Sequence, residues 1–209
     1  MTSRRHFLAT LGVLLPLPAA AQTSWGVVHQ LVGDVTLDSV PLTRNGALQA
    51  GQTIRTGADG RVWFSIGSDA YFLRPNSRLR LDASKQREPI IDLVRLFAGA
   101  LGATFRPGAP RQLTVPTVTI GIRGTGIYLD TSPEMTYFCT CFGETEMAAP
   151  DGSLVGSVIA TAERHQARRM QRDGTGAMRM AAAGMEGHTS EEMAQLETLV
   201  GRPNPFLRS

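Results

Sequence analysis

From residue 25 to about residue 154 the chain never sustains a long apolar run; short alternating stretches are broken by Gly, Pro, Asn or Asp every eight to twelve residues. That spacing predicts an all-β sandwich or barrel. In SRLRLD, Leu79 and Leu81 share one face while Arg78 and Arg80 share the other, the period of two that a half-buried strand requires. In TVTIGIRG, Val118, Ile120 and Ile122 line one face, against Thr117, Thr119, Gly121 and Arg123. RNGA, TGADG, IGSD, RPNS and FRPGAP supply the residues that reversals need. PIIDLVRLFAG is ambiguous, because its apolar positions 90, 91, 93, 94 and 97 suit a helix as well as a strand.

The C-terminal end changes period. In HTSEEMAQLETLVGRPNP, Thr189 and Glu192 form a capping-box pair, Met193, Leu196, Leu199 and Val200 make one apolar stripe, and Gly201 and Pro203 end it. This predicts a helix of about ten residues docked on the sheet. The preceding GTGAMRMAAAGMEGH is small, Gly-rich and Met-rich, and its composition predicts a loop or loosely packed connector between Gly174 and Gly187. The expected fold class is all-β: a sandwich or roll of short strands with one short C-terminal α-helix.

The N-terminus specifies a compartment. MTSRRHFLATLGVLLPLPAAAQ has a charged start, a short apolar core and an Ala-x-Ala end, the pattern of a cleavable export signal ending at Ala21. Ser3, Arg4, Arg5, Phe7 and Leu8 also fit the twin-arginine consensus. The apolar run is interrupted by Gly12, Pro16 and Pro18, too short for a spanning helix, and no later segment has the length for one. Cleavage leaves nineteen basic against eighteen acidic residues, a net charge near +1 with dispersed arginines. Nucleic acid is therefore not the expected partner. The expected location is the periplasm or the medium.

Residues 25 to about 130 resemble the FecR domain, the exported portion of iron-uptake signal transducers that regulate a sigma factor. The resemblance is carried by VPTVTIGIRGTGIYLD, in which Pro116 precedes an alternating strand that runs into Arg123, Gly124 and Thr125. Upstream, LQAGQTIRTGADGRVWFSIGSDAYFLRPNSRLRL is similar to the family's order of turns and strands. Val115 and Gln52 depart from it, standing where the family usually has Thr and Asp. The resemblance implies an exported, non-enzymatic β module linked to signal transduction, with an envelope protein or ligand as partner. The division it implies is a signal over 1–21, a FecR-like domain over 22–135, and an extension over 136–209 carrying the cysteines, the connector and the helix. Read physically, Arg123 at a strand end beside a glycine is expected to cap carbonyls or pair with a carboxylate inside the fold.

No nucleophile elbow, zinc-protease helix motif, phosphate loop or dinucleotide fingerprint occurs, so no catalytic residues are assigned. The unusual constellation is TYFCTCFGE, whose Cys139 and Cys141 are the only cysteines of the chain. Three readings stay open. A disulfide would be strained, since residues i and i+2 of a strand lie about 6.6 Å apart with parallel Cβ vectors. Two buried thiols are a plain packing solution. A metal site would use Cys139 and Cys141 from one strand face, completed by His165 and His188. That donor set suits zinc, iron or, with methionines at 170, 178, 180, 185 and 193, copper, and also an iron-sulfur cluster. The expected function is an exported binding or sensing module of the cell envelope. A metal- or cluster-carrying redox protein and a structural envelope-interaction module are the alternatives.

Overall fold

A computed structural model describes residues 25–84, 89–108, 110–149, 154–173, 175 and 177–207; the expected export signal lies outside them. In chain order the strands are β1 (Gly26–Val32), β2 (Val35–Leu37), β3 (Val40–Pro41), β4 (Thr53–Thr56), β5 (Arg61–Ile66), β6 (Asp69–Leu73), β7 (Arg78–Asp82), β8 (Leu93–Thr104), β9 (Arg111–Thr114), β10 (Thr119–Thr131), β11 (Met135–Ala148), β12 (Leu154–Ala160), β13 (Gln166–Arg172) and β14 (Met178–Ala183). The helix α1 (Ser190–Leu199) follows. The sandwich or roll with one C-terminal helix expected from the sequence is what forms.

Three long strands, β8, β10 and β11, change partners half-way along. Their outer halves join β12, β9, β7, β4, β2 and β3 in one half-sheet. The other halves, with β13, β14, β6, β5 and β1, form the second. Both contribute to one core, with Leu79, Val94, Leu113 and Ile120 from the first and Phe64, Leu73, Leu101 and Phe138 from the second. The ambiguous segment around residue 93 is thus strand β8, because both its edges find partners. Leu79, Leu81, Val118, Ile120 and Ile122 are buried as their alternation requires.

The change of partner needs kinked backbone, and the Arg-Gly-Thr segment supplies it in β10. The register jumps from Arg123↔Glu144 to Gly126↔Phe142, a bulge formed by Gly124 and Thr125. Gly124 has φ +60, and a Cβ there would lie 2.9 Å from Pro107 Cα. Thr125 is fully buried and donates its hydroxyl to the Glu144 carbonyl at 3.0 Å. Arg123 does not do what the sequence suggested: its side chain is exposed and contacts no carbonyl or carboxylate among the described residues. Strand alternation opposite the buried Ile122 already points it outward, so the strand bend rests on the glycine and threonine. Pro116 is exposed in the turn closed by Val115 N–H to the Val118 carbonyl at 3.0 Å. Replacing Gly124 with Ala is expected to cost about 2–3 kcal/mol, combining left-handed backbone strain with crowding against Pro107. Thermal or urea denaturation checks it.

A second correction concerns the connector. Met178–Ala183 pairs with β13 in antiparallel register as β14, an edge strand. Its small, Met-rich sequence hid a strand because an exposed edge needs little apolar alternation once a neighbour supplies its hydrogen bonds. Strand β11 begins at the expected boundary near residue 135 and pairs with β10 from Thr136 to Ala148, so the Cys-bearing extension is continuous with the preceding sheet.

The second half-sheet has two apolar faces. One faces the main core; the other carries Ala70, Phe72, Ala100, Tyr128, Tyr137, Cys139 and Cys141. Helix α1 covers that outer face with Met193 and Leu196, both fully buried. Its capping box forms as read: Glu192 N–H donates to Thr189 Oγ1 at 3.2 Å, and Thr189 N–H donates to Glu192 Oε2 at 3.1 Å.

Candidate metal centre

Strand alternation puts Tyr137, Cys139 and Cys141 on the outer face of β11, beneath the end of the chain. A regular strand would hold the two sulfurs parallel. The register, however, passes from Gly126↔Phe142 to Ile127↔Thr140, leaving Cys141 without a partner opposite it. This bulge re-aims Cys141 and lets it work with Cys139 at one point. Both cysteines are free thiols with no exposed surface.

The two histidines join them from separate elements. His165 ends the turn between β12 and β13, and His188 immediately precedes the N-cap of α1. One ligand atom from each of Cys139, Cys141, His165 and His188 lies within 4.8 Å of every other. Cys139 Sγ is 3.7 Å from His165 Nδ1, and Cys141 Sγ is 3.3 Å from His188 Nε2. A tetrahedral ion with bonds of about 2.3 Å to sulfur and about 2.05 Å to nitrogen separates S from N by about 3.6 Å. The two S–N contacts are therefore close to those of one tetrahedral ion.

The surroundings prepare the ligands. His188 Nδ1 donates to the Glu186 carbonyl at 2.8 Å, which fixes the tautomer and leaves the Nε2 lone pair facing Cys141. The His188 ring is buried and stacks on Tyr128 with centroids 4.5 Å apart. His165 is half-buried, and its Nε2 lies 3.4 Å from Ser190 Oγ in the first turn of α1. The Cys141 thiol together with His165 and His188 holds Cys139 down to about 4, in spite of its burial. Burial pushes the Cys141 thiol up, opposed by the Tyr128 N–H. The pair thus carries one readily formed thiolate, and a cation is what would draw off the second proton.

Sequence reasoning named the four residues that meet here but missed their supports. Tyr137 Oη donates to the Gly184 carbonyl and accepts the Glu186 N–H, each at 2.9 Å, clamping the loop that carries His188. Gly187, at φ +73, lets that loop lie on Tyr128, since a Cβ there would meet the Tyr128 hydroxyl at 2.4 Å. Tyr137 was legible as the same-face neighbour two residues before Cys139; Tyr128 reaches the site only through strand pairing. A cavity of about 240 Å³ lined by Tyr128, Tyr137, Arg169, Glu186 and Gly187 lies beside the His188 loop. Replacing Tyr137 with Phe is expected to lower zinc affinity about tenfold, the scale of an outer support, with the fold retained. Competition with a chromophoric chelator measures it.

Fold and site together define an all-β module with two cysteines and two histidines gathered under its C-terminal helix. No family model matches the chain, and no curated protein matches it. Two crystal structures, at 1.65 and 2.50 Å resolution, of a protein from Parabacteroides distasonis ATCC 8503 described as a candidate anti-sigma factor are similar to it. Identity is 10% and 12% and the TM-scores are 0.49 and 0.50, with 62% of this chain and 59% of that one covered in each case. The chain thus spans about three-fifths of that protein's length. At this identity the second alignment establishes a shared β fold. Among the described residues no helix is long and apolar enough to cross a membrane.

Proposed function

We propose that this chain is an exported, FecR-like binding and sensing module of the cell envelope whose bound species is a single metal ion held by Cys139, Cys141, His165 and His188. The observation that carries the reading is the convergence of two thiols and two imidazoles within 4.8 Å, three of the four residues being buried. Two thiolates and two neutral imidazoles carry a charge of −2, so a divalent ion leaves a neutral complex. Burying a neutral complex avoids the cost of a net charge in an apolar site and favours zinc or ferrous iron over monovalent copper. Met170 and Met193 support this, since both are fully buried among apolar neighbours as packing residues.

Four protein ligands leave no open coordination position for a substrate, which supports binding rather than catalysis. The export-type N-terminus supports an envelope location. The likeness to a candidate anti-sigma factor supports a place in signalling, with a protein partner recognised by the β domain. The test is metal analysis of protein purified from its native compartment. About one equivalent of a divalent metal per chain is expected; a metal-free protein that also fails to take up zinc or cobalt would contradict it.

A further inference from the structure

The four donors come from three separate parts of the chain, and one of these parts leads directly into the helix. His188 directly precedes the N-cap Thr189, and Ser190 Oγ in the first turn approaches His165 Nε2 at 3.4 Å. Both imidazoles of the cage are thus tied to the N-terminal end of α1. The helix has ten residues, too few to persist in water without tertiary support. It buries Met193, Ala194, Leu196 and Glu197. Its other attachments are polar: Arg74 bonds to both Glu192 oxygens at 2.7 and 2.8 Å. Glu197 and Arg202 bond to Thr104 and to the Ser68 carbonyl at the far end. Beneath the helix lie Ala70, Phe72, Ala100 and Tyr128, a largely apolar face.

Resting on the metal reading above, we propose that the ion is a latch for the C-terminal helix. Bound, it fastens the His188 loop to β11 and holds α1 down. Released, it leaves two thiols and two imidazoles crowded without a cation and leaves the N-terminal end of α1 to the polar bonds of Arg74 and Tyr137, so that the helix lifts more often from the apolar face around Phe72 and Tyr128.

Coupling of this kind is reciprocal: if the ion stabilises the docked helix, weakening the docking must weaken the ion. Leu196 supplies no ligand atom but is fully buried on the face of α1 that meets the sheet. Leu196→Ala in the full chain is expected to lower zinc affinity about tenfold or more, since a fraction of the protein must first redock the helix. The companion measurement needs no variant. With zinc at a hundred times its dissociation constant, hydrogen exchange of the wild-type α1 amides is expected to slow about a hundredfold. Amides of β4, in the half-sheet without α1, should slow less. Zinc bound at one per chain, with α1 exchange unchanged or slowed no more than that of β4, would overturn the latch and leave the metal site standing. Failure to bind zinc at all would overturn both.

Discussion

Replacing Cys139 with Ser is expected to lower zinc affinity by well over a hundredfold, because it removes a ligand where loss of an outer support alone costs about ten- to a hundredfold. Cys141→Ser should do the same, and the cobalt-substituted variants should lose sulfur-to-metal charge-transfer absorption. Neither variant should unfold the protein: serine is smaller than cysteine, and the Phe64, Leu101 and Phe138 core lies on the opposite face of the sheet. Ligand binding to the native state alone adds about 2.7 kcal/mol at a hundred times the dissociation constant. Wild-type protein should therefore gain several degrees in melting temperature from zinc, and the variants none. Equal zinc-dependent stabilisation in wild type and both variants would show that the ion sits elsewhere.

The second large effect is expected far from the cage. Asp69 and Arg111 form an ion pair at 3.1 Å with side-chain exposures of 1% and 4%, joining the starts of β6 and β9. The Asp69 carboxylate also accepts the Arg106 N–H at 2.9 Å. Arg111→Met leaves the carboxylate buried without its cation, a change that costs about 3–5 kcal/mol, or on the order of 10 °C in melting temperature for a chain of this size. The double replacement Asp69→Asn with Arg111→Met should recover much of that loss, because both charges leave together while Asn keeps an acceptor for Arg106. The pH dependence follows from the sign of the carboxyl's displacement. Burial pushes Asp69 above the ordinary carboxylate range even beside Arg111. The folded state therefore holds this proton more tightly than the unfolded state, and the group's contribution to stability falls as pH rises through the unfolded value. Without Arg111 that contrast grows. Arg111→Met should accordingly be less damaging near pH 4 than at pH 7, as denaturation at the two pH values would show.

Local information carried the reading a long way. Period-two alternation at Leu79 and Leu81 and at Val118, Ile120 and Ile122 reports burial directly, since each side chain is assigned a face by its neighbours in the chain. The capping box at Thr189 is equally local. The Cys-x-Cys pair, with His165 and His188, was legible as an inventory of donors on one side of the chain. Their convergence was not, because it depends on a bulge at Cys141 that appears only when β11 is paired with β10. The same limit explains Arg123. A residue thought to end a strand reads as a cap, but β10 runs on through Gly124 and Thr125 to Thr131, and alternation opposite Ile122 leaves Arg123 in solvent. β14 was hidden because its strand character is conferred by β13. Asp69 and Arg111 are 42 residues apart, a pairing that no short-range pattern announces.

The central claim is that one ion is held by two sulfurs and two nitrogens, and X-ray absorption of the zinc-loaded full chain tests it most directly. Two sulfur scatterers at about 2.3 Å and two nitrogen scatterers at about 2.0–2.1 Å are expected. A zinc shell of nitrogen and oxygen alone, with no sulfur, would contradict it.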